Sequence, residues 1–189
     1  MLISLERLIE IASEHTVTEA ISRFSCSKDN DIESFLQEKA ALFDRKGKSK
    51  THFILSQEAL KAGIVDIAAY FSLAIALLRI PEGTSATQIK RLDGLYSKRG
   101  GEQITEIPSF LIGQLAKNDS YSDAIPGTLV LECALSVISS AEEMVGGRVV
   151  YLECRDVSKV IGFYEKNGFK VFRRDPDDGL VQMCCVIGK

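Results

Sequence analysis

Apolar residues recur at helical spacing at Leu5, Leu8, Ile9 and Ala12, so the first dozen residues are predicted as a short amphipathic helix. It opens a helical N-terminal extension over residues 1–23. A second helix is predicted from Asn30, with Asn30 as its cap and Glu33 completing a capping-box pattern. Its apolar stripe is Ile32, Phe35, Leu36, Ala40 and Phe43, and it stops at Gly47. Residues 51–56 predict a strand. The apolar and aromatic run 68–80, ended by Pro81, predicts a buried strand with a bent or bulged end. A short helix closed by Gly94 is predicted over 84–95.

The second half has a clearer rhythm. A strand over 107–116 is followed by a polar turn over 118–123. A helix over 128–144 then carries Leu131, Leu135 and Ile138 on one face, and Gly146 and Gly147 end it. A strand over 148–154 leads to a helix capped by Asp156 and ended at Gly168. Strands over 169–173 and 180–187 are joined by Asp175-Pro176-Asp177-Asp178-Gly179, a strong turn sequence. The order strand, helix, strand, helix, strand, strand predicts an α/β fold with a mixed sheet. The helix between the 107–116 and 148–154 strands makes those two parallel neighbours, because a helical crossover joins parallel strands. The chain reads as one domain over 1–189, with its working core in 107–189.

Composition narrows the class. The formal charge is -3 and the pI about 5.5, so no global basic field exists to attract nucleic acid. Two local basic clusters stand out, Arg45–Lys46–Lys48–Lys50 and Lys90–Arg91–Lys98–Arg99, and both read as solvated faces. The five cysteines (Cys26, Cys133, Cys154, Cys184 and Cys185) form no C-x-x-C, and only His15 and His52 could join them at a metal, so no metal is expected. Unpaired cysteines inside apolar runs point to a reducing, cytoplasmic setting. The N-terminal stretch carries Glu6 and Glu10 and lacks a signal-peptide pattern.

The chemistry concentrates in two segments. Gly162-Phe163-Tyr164-Glu165-Lys166-Asn167-Gly168-Phe169 resembles the F-Y-x-x-x-G-F signature of the GNAT superfamily of N-acetyltransferases, whose helix follows the fifth strand. Pro108 to Ala116 resembles the fourth strand of that superfamily, especially of its toxin branch, where the pattern I-P-x-x-L-L-G-R-L-A is usual and Gln114 here replaces the arginine. Phe24-Ser25-Cys26, Ile32 to Leu36, Lys50 to Phe53 and Ala69 to Leu73 are similar to the opening of the same branch, so the resemblance covers most of the chain.

That resemblance implies a GNAT-like mixed sheet whose fourth and fifth strands are parallel and splay apart, with a reaction centre between Gln114 and Tyr164. Backbone N–H groups freed by the splay would stabilise an oxyanion. Tyr164 would be the general acid for the departing CoA thiolate. Acetyl-CoA would be the co-substrate, held by Leu115, Ala116, Lys117, Ser122, Asp123, Ala124, Ile125, Gly127 and Thr128. The superfamily's pyrophosphate loop, Q/R-x-x-G-x-G/A, closes around phosphate through backbone amides at a helix N-terminus. The equivalent stretch here, Ser122 to Gly127, keeps only Gly127: Ile125 fills a glycine position, Pro126 lacks an N–H and Asp123 adds a negative charge. Weak acetyl-CoA binding follows.

For the acceptor's base, Glu106, Glu132 and Glu153 are the carboxylates within the pattern; each also reads as a surface residue, and His52 as structural. The resulting expectation is transfer of acetyl to a primary amine. The toxin branch adds the α-amine of an aminoacyl-tRNA as acceptor and a cognate antitoxin as partner; a homodimer is a further expectation. The alternative is a non-catalytic module that keeps the fold but has lost productive CoA binding.

Overall fold

The computed structural model describes residues 1–174 and 179–188. In chain order the elements are β1 (Leu2–Ser4), α1 (Leu5–Ala12), α2 (Glu14–Ser22), α3 (Asn30–Ser34), a π-helical turn (Phe35–Lys39) and α4 (Ala40–Arg45). There follow β2 (Lys50–Leu55), α5 (Gln57–Lys61), β3 (Ile67–Arg79), α6 (Ala86–Asp93), β4 (Lys98–Arg99), β5 (Glu102–Gln103) and β6 (Glu106–Lys117). A 3-10 turn (Asp119–Tyr121) leads to α7 (Gly127–Val145), β7 (Val149–Arg155), α8 (Ser158–Lys166), β8 (Lys170–Arg174) and β9 (Leu180–Val186). The turn expected over residues 175–178 lies outside the described residues.

A seven-stranded mixed sheet runs in the order β1-β2-β3-β6-β7-β9-β8, and β4-β5 is a separate hairpin. The expected parallel pair is present: β6 and β7 pair Phe110↔Val150, Leu111↔Tyr151 and Ile112↔Leu152. The pairing stops there although β6 continues to Lys117 and β7 to Arg155. The other registered pairs are antiparallel.

The chain divides into two compact units, residues 1–74 with 113–136, and residues 75–112 with 137–189. In the first, Leu5, Leu8, Val17 and Ala20 of the N-terminal helices pack with Leu36, Phe53, Tyr70 and Ala116 in one apolar core. Each leucine, valine or phenylalanine among them contributes about 1.5–3 kcal/mol by leaving water. In the second, Leu78, Ile89, Leu92, Ile107, Val149 and Tyr151 form another core under α6.

Five local expectations are corrected. Residues 2–4 are a strand rather than the start of a helix, because they pair with His52–Ile54 of β2. Asp29, not Asn30, caps α3, through Oδ1 to the Asp31 N–H at 3.2 Å. Glu33 makes no capping box; its Oε2 accepts the Cys26 N–H at 2.7 Å. The expected single helix from Asn30 is broken by the π-helical turn, in which the Ala40 N–H reaches back to the Phe35 carbonyl, an i→i+5 bond. Finally, α8 starts after Val157 without a side-chain cap, and Asp156 is instead ion-paired with Arg174. No helix among the described residues is long and apolar enough to cross a membrane.

Candidate functional site

The helix α8 places Tyr164 in its last turn. Gly168 then takes φ +88°, a conformation strained for any side chain, and reverses the chain. The reversal returns the Phe169 N–H to the Tyr164 carbonyl at 3.1 Å. It also packs the Phe169 ring edge-on against Tyr164, centroids 5.7 Å apart, and the Phe163 ring lies 5.0 Å from that of Tyr164. Tyr164 is only 8% exposed. Burial, and then the neighbouring Cys154 thiol, push its phenol well above the usual tyrosine range, so the group stays protonated. No described residue accepts its hydrogen, which leaves the hydroxyl free to donate to a ligand.

Along β6, Phe110, Ile112 and Ala116 are buried and Ser109 donates to the Ile107 carbonyl at 2.9 Å. Gln114 Oε1 is sealed from solvent with no hydrogen-bond donor among the described residues, an exception to the rule that buried acceptors are paired.

The loop after β6 is tied down at several points. Asn118 is buried and donates through Nδ2 to the Ile67 carbonyl at 2.9 Å, while its backbone N–H reaches the Ala68 carbonyl at 2.9 Å. Asp119 accepts the Ser27 N–H at 2.8 Å, and the carboxyl is held below its ordinary range first by that bond. Tyr121 donates to Asp66 Oδ2 at 2.5 Å, which raises its phenol pKa. The loop's amides turn inward on themselves: Ser122 donates to the Asp119 carbonyl, and Ala124 and Ile125 both donate to that of Tyr121. Lys117 Nζ reaches the Ser122 carbonyl and, at 2.9 Å, that of Ile125. Gly127 and Thr128 open α7, where N–H groups have no partner within the helix.

The carboxylates considered for a base lie at the surface. Glu106 pairs with Arg79 at 3.8 Å, Glu153 accepts Gln182 Nε2 at 3.1 Å, and Glu132 is exposed. His52 stacks on Phe71 at 5.1 Å, the contact of a packing residue, and its buried Nδ1 has no hydrogen-bond partner among the described residues. A cavity of about 380 Å³ in the second unit, lined by Asp93, Arg99, Pro108, Glu142, Arg148 and Ile187, contains none of the expected site residues. Sequence reasoning missed the Tyr121–Asp66 bond and the carbonyl contacts of Lys117, since nothing in a linear pattern signals either.

No family model and no curated protein matches this sequence. Solved structures do. A tyrosine-to-phenylalanine mutant of KacT superposes with a TM-score of 0.69 at 17% identity, over 96% of this chain and 92% of that one. AtaT complexed with acetyl-methionyl-tRNAfMet gives 0.63 at 18%, over 86% and 85%. An AtaT mutant toxin bound to the C-terminus of the antitoxin AtaR and acetyl-CoA gives 0.62 at 16%, over 96% and 91%. The fold is that of the GNAT toxins. At these identities the likeness is one of fold. Within the GNAT fold, β6 and β7 are the fourth and fifth strands of the main sheet, and α8 is the helix that follows the fifth.

Proposed function

We propose that this chain is an acyl-CoA-dependent N-acetyltransferase that moves acetyl from acetyl-CoA to a primary amine. The observation that carries the reading is Tyr164: a protonated phenol, its hydroxyl without a hydrogen-bond partner among the described residues, on the helix after the fifth strand of a GNAT fold. The acceptor we favour is the α-amine of an aminoacyl-tRNA, supported by the AtaT complex with acetyl-methionyl-tRNAfMet, and the partner an antitoxin, supported by the AtaT–AtaR complex.

In this reading the donor is held by Leu115, Ala116, Lys117, Ser122, Asp123, Ala124, Ile125, Gly127 and Thr128. A neutral amine, with an ordinary α-amino pKa near 8, attacks the thioester carbonyl and needs little help from a base. The C–S bond breaks, the amine's proton passes to solvent, and the sulfur takes a proton from Tyr164, which solvent then reprotonates. The burial that keeps the phenol protonated also makes it a weaker acid. Its contribution therefore lies at the low end of the roughly 10²–10⁴-fold that general acids provide.

One observation favours the second reading, a module without productive CoA binding: the amides of Ser122, Ala124 and Ile125 are already bonded within the loop. Calorimetry with acetyl-CoA, paired with acetyl transfer to aminoacyl-tRNA and to free amines, separates the two. Binding with a Kd above roughly 10 µM, together with transfer, is the expected result. Absence of binding at millimolar acetyl-CoA would favour the module.

A further inference from the structure

The cavity at the start of β6 has no part in the proposed reaction, and its charges are unevenly matched. Arg99 donates through Nη2 to Asp93 Oδ1 at 3.0 Å, and Asp93 Oδ2 accepts the Tyr96 N–H at 2.8 Å, so that pair is complete. Glu142 and Arg148 line the same space of about 380 Å³ and are half-buried. Neither side chain has a hydrogen-bond or ion-pair partner among the described residues, and they do not pair with each other. The backbone holds both in place. Glu142 stands in the last turn of α7 with Oε1 3.2 Å from where a Cβ on Gly188 would lie. Arg148 follows the Gly146-Gly147 stop, and its carbonyl accepts the Ile187 N–H at 2.8 Å. Its guanidinium lies across Gly94, where a Cβ would come 2.8 Å from Cζ, so only glycine leaves room for it. Nε is sealed from solvent without an acceptor. An arginine stays charged, so this group is set in position with its charge unanswered.

A simple anion drawn to Arg148 would be repelled by Glu142, and a simple cation the reverse. A molecule carrying both charges answers both residues. We propose that this cavity binds a free amino acid with an apolar side chain. Its carboxylate accepts from Arg148, its ammonium donates to Glu142, and its side chain lies against Ile107, Pro108 and Ile187. Both polar contacts are charge-assisted, about twice as strong as neutral hydrogen bonds. Nothing in this site depends on the acetyl-transfer reading, since the donor loop follows the other end of β6.

Calorimetry on the whole chain tests the site with leucine, isoleucine, valine and methionine. The tightest of these is then compared with its amide, which lacks the carboxylate, and with its des-amino acid, which lacks the ammonium. At least one amino acid should bind with a Kd of about 1 mM or tighter, and either deletion should weaken it about tenfold or more. Arg148→Met should abolish the preference for the amino acid over its amide. Glu142→Gln, which keeps the shape of the side chain, should abolish the preference over the des-amino acid, and it carries the test if Arg148→Met does not fold. An Arg148 that serves only to pack on Gly94 would lower the melting temperature and leave both preferences as they were, which would overturn the proposal. So would binding that neither substitution changes, or failure of all four amino acids to bind at about 10 mM.

Discussion

Asn118 donates through its side-chain amide to the carbonyl of Ile67 at 2.9 Å, and both groups are buried. The same side chain accepts the Ser120 N–H at 3.1 Å through Oδ1, so one residue joins the loop after β6 to the start of β3. Asn118→Ala strands a buried carbonyl and a loop N–H. It should cost about 1–3 kcal/mol, the penalty for an unsatisfied buried group. Urea unfolding of the two proteins measures this, and a midpoint within error of wild type would refute it.

Tyr164→Phe removes one hydroxyl and keeps the ring contacts with Phe163 and Phe169. It should lower kcat roughly 10–100-fold, with KM for acetyl-CoA little changed, because the lost contact acts in the transition state. The melting temperature should hold. Equal activity in the two proteins would reduce Tyr164 to a packing residue.

The pH profile carries a signed expectation. Tyr164 works in its protonated form, and burial raises its pKa. Raising the pKa of an acid extends the pH range over which it stays loaded. The alkaline side of the kcat profile should therefore show no fall from loss of this proton up to about pH 10, the ordinary tyrosine value. A limb near pH 8–9 that is present in wild type and absent in Tyr164→Phe would contradict the assignment.

His52 gives a stability window. Burial lowers its pKa below the ordinary value of 6.5. The unfolded chain then takes up a proton near pH 6.5 while the folded chain does not. Protonation favours unfolding, so the contribution is intact above about pH 7 and is lost as pH falls below about 6.5. His52→Gln should show a smaller drop in melting temperature between pH 7.5 and 5.5 than wild type. A drop of the same size would mean that His52 titrates freely.

Much of the candidate site could be read along the chain because its signals are local. A helix that ends in Asn167-Gly168 and returns a phenylalanine to a tyrosine needs only the left-handed freedom of one glycine, and Gly168 adopts it. The β6–α7–β7 crossover follows from apolar periodicity and a glycine stop, and its parallel pairing follows from the helix that returns the chain to the same end of the sheet.

Other features depend on what folding brings together. Leu2–Ser4 continues a helical pattern in sequence, yet the free edge of β2 draws it into the sheet, where paired backbone groups outweigh weak propensity. Asn30 and Asp29 are both good caps, and Glu33 is a good capping-box partner; which carboxylate meets which N–H was decided when Cys26 arrived beside Glu33. Lys117 shows the division most clearly. The sequence determined that the loop keeps only one glycine, Gly127, and carries a proline. Only the tertiary structure decided that the last ammonium of β6 would meet the carbonyls of Ser122 and Ile125, because a charged group's partners are set by where the folded backbone turns its oxygens.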